Sequence, residues 1–257
     1  MMHHLKFAAG AAVLALSASA CGGASPSARS GAATTAAPTT TSSTATSSTT
    51  TPPTTTPAPD PTADRATAAS INLAAADLPG YTPTPSSNDG SDPIAAKLAQ
   101  CAGAPDPSAI DVVDVSSPDF DNDTGEVSSD VTMVKTAADG AADLAAITSD
   151  KLGPCFQTVG LPALQATLPS GSTLSGLRVT PQAPPLGAQS FAFQVGLSVS
   201  VPGQAATTVV DDTEGFLVGR AEVSLDVFAT GAQPDRALEA RLLALLRSRA
   251  TAAPGTA

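Results

Sequence analysis

Seven acidic positions and three cysteines are the residues of this chain whose types and spacing could do chemistry. The run Asp119-Phe120-Asp121-Asn122-Asp123-Thr124-Gly125, with Asp130 following, puts carboxylates at positions 1, 3, 5 and 12 of a loop, the ligand spacing of a calcium-binding hand. Its glycine stands at position 7 rather than 6, and the flanking residues have strand rather than helix character. A polar hairpin turn is therefore the preferred reading, with a calcium site at Asp119, Asp121, Asp123 and Asp130 as the weaker alternative. Asp211, Asp212 and Glu214 form a second acidic group. Facing carboxylates could serve glycosidic acid and base chemistry. The chain, however, has no tryptophan and one tyrosine to offer a sugar, so this group is expected to be a solvated turn.

What is missing narrows the chemistry further. The two histidines of the chain are His3 and His4, both inside a segment expected to be removed. A mature protein without imidazole has no Ser-His-Asp triad, Cys-His pair or His-ligated zinc. Neither a phosphate-binding loop, a dinucleotide fingerprint nor a nucleophile elbow occurs, and Gly171-Ser172 has no histidine to activate it. The expectation is a protein that is not an enzyme and carries no cofactor. A net charge of −11 from 12 basic and 23 acidic residues also speaks against nucleic acid, which demands clustered Lys and Arg.

The cysteines read differently. Lys6 precedes an apolar run of 10 residues at 7–16 (FAAGAAVLAL), then small residues up to Ala20. This is the layout of an export signal, too short to remain as a spanning helix. Ala18-Ser19-Ala20 could also be cut by ordinary signal peptidase, so two fates compete. Ala-Ser-Ala-Cys21 followed by Gly22-Gly23 resembles a bacterial lipoprotein signal, with Ala18 where such signals usually carry Leu. That resemblance implies a lipidated Cys21 as the new N-terminus and a protein on the extracytoplasmic face of the cell membrane. Parity agrees, because an exported chain rarely leaves one cysteine over. With Cys21 acylated, Cys101 and Cys155 form a structural disulfide.

Residues 22–65 hold 14 Thr, 7 Ser, 7 Pro and 9 Ala, with no Val, Leu, Ile or aromatic. Such a stretch buries too little apolar surface to offset its ordering entropy. It is expected to be a disordered tether with a coil span of about 36 Å. The folded domain is expected over 66–250, with a short disordered tail at 251–257.

Within that domain the pattern predicts helices over 66–76, from Pro93 to Cys101, over 137–152 (ended by Gly153-Pro154), over 161–168 and over 234–249. The closing helix is amphipathic, with Leu238, Leu242, Leu245 and Leu246 on one stripe. Strands are predicted over 110–116, 126–135, 173–180, 189–201, 205–211 and 216–228. In the second of these, Val127, Ser129, Val131 and Met133 share one pleat phase, while Glu126, Ser128 and Asp130 take the other. Phe191, Phe193, Phe216 and Phe228 are expected in the core, with the lining of a hydrophobic ligand cavity as the alternative, and Tyr81 as a packed loop anchor rather than a recognition residue. The class is α+β: a mainly antiparallel, curved sheet of about six strands with helices packed on it, preceded by the signal and the linker.

The order of these elements carries a resemblance, together with Leu73-x-x-Ala76-Asp77-Leu78-Pro79-Gly80, Cys101, the helix before Cys155, Gly219-Arg220 and the Leu-rich closing helix. It is similar to the extracellular sensor domain of some mycobacterial serine/threonine kinases and of related free-standing actinobacterial surface lipoproteins. The resemblance implies a sheet with a helix-lined cleft for an unidentified small ligand. That family usually has two disulfides where this chain can form one. The expected function is thus a membrane-anchored, non-enzymatic binding or sensor-like lipoprotein. The alternative is an accessory lipoprotein that docks on another envelope protein and has no small-molecule site.

Overall fold

Eleven residues from Pro61 to Ile71 form the first helix, α1, because Asp60 caps it: its carboxylate accepts from the Thr62 and Ala63 amides, and Pro61 is preset for the first turn. The computed structural model describes residues 58–86 and 93–256. Calls on the signal, Cys21 and most of the linker lie outside these residues. The helix begins five residues before the expected start at 66, inside what composition assigned to the tether. The reason is the cap, which outweighs local polarity.

The remaining helices are α2 (Pro93–Ala102), α3 (Pro107–Ile110), α4 (Ala137–Ile147), α5 (Leu152–Cys155), α6 (Leu161–Thr167) and α7 (Arg236–Ala252). A π-helical stretch, Phe156–Gly160, joins α5 to α6. Gly153-Pro154, expected to end a helix, instead stands in the first turn of the next one, where proline's missing amide costs nothing. On α7, Leu242, Leu243, Leu246 and Ala250 are buried, while Leu238 and Leu245 pack only partly. The core stripe is therefore turned slightly from the one read in sequence.

The strands are β1 (Thr82–Thr84), β2 (Asp111–Ser116), β3 (Asp119–Asn122), β4 (Gly125–Val134), β5 (Thr173–Pro181), β6 (Ser190–Ser200), β7 (Thr207–Val218) and β8 (Ala221–Thr230). They make one open, antiparallel eight-stranded sheet in the order β1-β3-β4-β8-β7-β6-β5, with β2 also paired to β4. The fold is α+β as expected, with eight strands rather than about six. The two extra strands are short, and each pairs with a neighbour distant in sequence or across a tight turn.

One correction matters for function. Asp211-Asp212-Thr213-Glu214-Gly215, expected as a solvated turn, runs through the middle of β7. The real turn lies at Gly219-Arg220, inside the segment expected to be one strand. Gly219 takes φ 56°, a left-handed conformation that suits glycine. Turn composition misled here because pairing on both sides, with β6 and β8, overrides the local preference.

Each face of the sheet carries its own core. On one, α1 and α7 cover Val127, Val131, Met133, Phe216, Val223 and Leu225. Buried Arg220 ties this layer together: it makes a 2.7 Å ion pair with Asp64 of α1 and donates to the Val134 carbonyl. Arg249 of α7 grips Asp77 through both carboxylate oxygens at 2.8 and 2.9 Å. Burial works against the Asp77 charge, but the Arg249 hydrogen bonds and the Ala74 amide win and hold its carboxyl below the ordinary value. Asp77 and Arg220, two of the residues quoted for the family resemblance, therefore act as structural ties. On the opposite face, α2, α4, α5 and α6 pack on Phe191, Phe193, Val195, Leu197 and Leu217. The Cys101–Cys155 disulfide, with Cα atoms 5.8 Å apart, links α2 to α5 within this layer.

Candidate functional site: an acidic half of one sheet face

Directly paired residues of an antiparallel sheet point to the same side, so the register gives the composition of each face. On the face that carries the disulfide-tied helices, four rows run across the strands. The first reads Asp121, Glu126, Phe228, Asp211 and Val195. The second reads Ser128, Asp226, Thr213 and Phe193. The third reads Ser116, Asp130, Ser224, Gly215 and Phe191. The fourth reads Asp114, Thr132, Glu222 and Leu217.

This face is divided. Toward β5 and β6 it is apolar and lies under the helices. Toward β3, β4 and β8 it is lined by carboxylates and hydroxyls. Helix α4 reaches over the boundary at Gly140, where an added Cβ would stand 2.7 Å from Leu217 Cδ1 and 3.0 Å from Glu222 Oε1. Only glycine allows that approach. One turn further on α4, buried Asp143 faces the same side as Gly140 and Leu144.

The acidic half deepens from one end. Asp121, Glu126 and Phe228 are half-buried, whereas Asp211, Asp226, Asp130 and Glu222 are 2%, 4%, 0% and 2% exposed. Thr213 donates to Asp226 at 2.8 Å, and Thr84 donates to Asp121 at 3.0 Å. Among the described residues neither Asp211 oxygen has a hydrogen-bond partner, and the buried Ser224 hydroxyl has none either. Burial, and then the neighbouring Asp226, Asp212 and Glu126, push the Asp211 carboxyl well above the usual carboxylate range. Phe228 belongs to neither apolar core. Of the four phenylalanines expected inside, Phe191, Phe193 and Phe216 are core residues, while Phe228 sits in the acidic row between Glu126 and Asp211.

The other two acids of the β7 run face the opposite side. Asp212 and Glu214 meet Glu239 of α7 around a single guanidinium, that of Arg236, at 3.2, 3.9 and 3.0 Å. Gln194 donates to Asp212 at 2.9 Å. Burial raises Glu239 to about 7, helped by Asp212 and Glu214 and opposed by Arg236. Glu214 is raised for the same first reason, with Arg236 opposing. Burial is the main cause of both shifts, and one cation shared among three carboxylates is too little to reverse it.

The calcium candidates are dispersed over two strands and a turn. Asp119 and Asp121 lie in β3, Asp123 in the exposed turn and Asp130 deep in β4. In the turn, Asn122 Oδ1 accepts from the Thr124 and Gly125 amides, which is the bond pattern that favours Asn there. Among the described residues no three carboxylates gather closely enough to hold a metal ion. Cys101 and Cys155 are brought together as expected, and Tyr81 packs half-buried against the α1/α7 core.

The acidic half-face had a signal in the sequence. Glu126, Ser128, Asp130 and Thr132 alternate on one phase of β4, as do Glu222, Ser224, Asp226 and Phe228 on β8. Each strand alone reads as solvent-facing on that side. Only the pairing of β4 with β8, and of β8 with β7, sums them into one patch. No family model, no curated protein and no solved structure matches the chain.

Proposed function

We propose that this chain is an exported lipoprotein that binds a ligand without transforming it. In this reading residues 1–20 are the signal, Cys21 carries the lipid, and the Thr/Pro-rich segment holds the α+β domain off the extracytoplasmic face of the membrane. Cys21 directly after an apolar run and Ala-Ser-Ala supports the anchor. No helix of the described residues is long and apolar enough to cross a membrane. The scarcity of histidine supports a binding rather than a catalytic role.

The observation that carries the reading is the divided sheet face. A core strand position normally holds an apolar side chain, and an unsatisfied buried carboxylate costs stability. Asp211 therefore makes sense as a group kept for a partner, beside a disulfide-stiffened helical layer that can hold such a site in shape. Native mass spectrometry of the folded chain after incubation with an envelope metabolite extract tests this. A bound species of defined mass supports the binding module, and a bare spectrum from folded protein refutes it.

A further inference from the structure

We propose that a proton shared between Glu239 and Asp212 fastens the first turn of α7 to β7, so that this corner of the domain is an acid-closed latch that loosens as its surroundings turn from acid to neutral. The latch is built from α7, β7 and β6 and is independent of the binding reading above.

The balance of charges is the first support. Asp212, Glu214 and Glu239 are 1%, 9% and 1% exposed, and among the described residues Arg236 is the one cation that pairs with them. Arg236 donates to Glu239 Oε2 at 3.0 Å, and Gln194 donates to Asp212 Oδ1 at 2.9 Å. Glu239 Oε1 and Asp212 Oδ2 are left, both buried and neither accepting a hydrogen bond among the described residues. As two ionised groups they only repel. One proton turns the contact into a hydrogen bond between the two side chains, and burial, the largest cause, together with Asp212 raises Glu239 to about 7.

The place of Glu239 in its helix is the second support. It stands one turn in from the Asp235 cap, its amide donating to the Asp235 carbonyl at 3.0 Å. Beyond it Leu242, Leu243 and Leu246 are 0%, 1% and 0% exposed, an apolar anchor that does not titrate. Before it Asp235 and Gln233 are exposed. Only the first turn of α7 therefore depends on the proton.

The surroundings leave no other charge to hold that turn. Glu239 is faced by Arg236 of its own helix and by Asp212 and Glu214 of β7. In the same rows β6 places the neutral Gln194 and Ala192, and β8 places Val227 and Leu225. Helix α1 meets the far end of α7, where Thr67 donates to the Pro254 carbonyl and Arg249 to that of Asn72, and its Asp64 pairs with Arg220. Asp77 pairs with Arg249, further along α7.

A proton held more tightly in the closed form is released on opening. Opening therefore grows by up to about tenfold per pH unit between the ordinary 4.5 and about 7, and levels off above. Hydrogen exchange of the full chain, resolved along α7 at about pH 5.5 and pH 8 and corrected for intrinsic rates, tests this. Expected is a fall of about tenfold or more in the protection of the amides of residues 239–242, which at both pH values exchange faster than the central amides of β8. Glu239→Gln brings its own donor to Asp212 and should keep the turn protected at both pH values. Arg236→Gln removes the cation that favours ionised Glu239, so the turn should stay protected at pH 5.5 and its opening should level off at a higher pH than in the wild type. Protection that ignores pH, exchange of the turn only together with β8, or a Glu239→Gln variant that keeps the wild-type fall overturns the latch. An Arg236→Gln variant that loses protection equally at both pH values also overturns it, because an ion pair and not a proton would then hold the turn.

Discussion

Replacing Glu239 by Gln isolates the electrostatics of the α7 cluster, because it retains the side chain's shape and its acceptor for Arg236 while removing the titration. Glu239 is 1% exposed, and its folded-state pKa is about 7 against an ordinary 4.5. A carboxyl whose pKa is raised by folding binds its proton more tightly in the native state. Its contribution is therefore fully present below about pH 4.5 and is lost as the pH rises through about 7. At about 1.4 kcal/mol per unit, the full gap amounts to about 3 kcal/mol, a ceiling because Arg236 can reorient toward whichever carboxylate is charged. Urea unfolding of both proteins at intervals between about pH 5 and pH 8 reads this directly. The wild type should lose stability across that window, with Glu214 and Asp211 contributing in the same direction. The variant should lose less and overtake the wild type near pH 8. Parallel curves, with a constant offset, would refute the assignment of the shift to Glu239.

Other perturbations probe other parts of the molecule. Cys101→Ser opens a link of sequence separation 54, for which chain entropy gives about 4 kcal/mol of lost stability, measurable by denaturant unfolding, with Cys155 then titrating as a reactive thiol. Asp64→Ala strands the buried Arg220 guanidinium and should cost about 3–5 kcal/mol; Asp64→Ala combined with Arg220→Met should recover much of it in a thermal melt. Cys21→Ala should move the protein from the membrane fraction to the soluble fraction, and its retention with membranes would refute the lipid anchor.

Residue types settled several features without any tertiary information. The α+β class followed from strand runs in the second half and from amphipathic 234–249, and the disulfide followed from three cysteines of which one was expected to be taken by a lipid. These are local or arithmetical properties, and the structure agrees with them where it describes the residues. Boundaries were less legible. The Asp60 cap drew α1 forward into polar sequence, and Gly153-Pro154 began a helix instead of ending one.

The candidate site depended on long-range pairing. Asp211, Asp212 and Glu214 have a turn's composition, and only simultaneous pairing with β6 and β8 makes them central strand residues. Once they are there, the two-residue pleat sends Asp211 to one face and Asp212 and Glu214 to the other, into unlike surroundings. Asp211 meets Asp226 and Phe228 of the adjacent strand β8, while Asp212 meets Arg236 and Glu239 at the start of the last helix. The order of residues determined which side chains alternate along each strand. Which strands lie side by side, and therefore which carboxylates face one another out of water, was decided only when the sheet assembled, because register is a property of pairs.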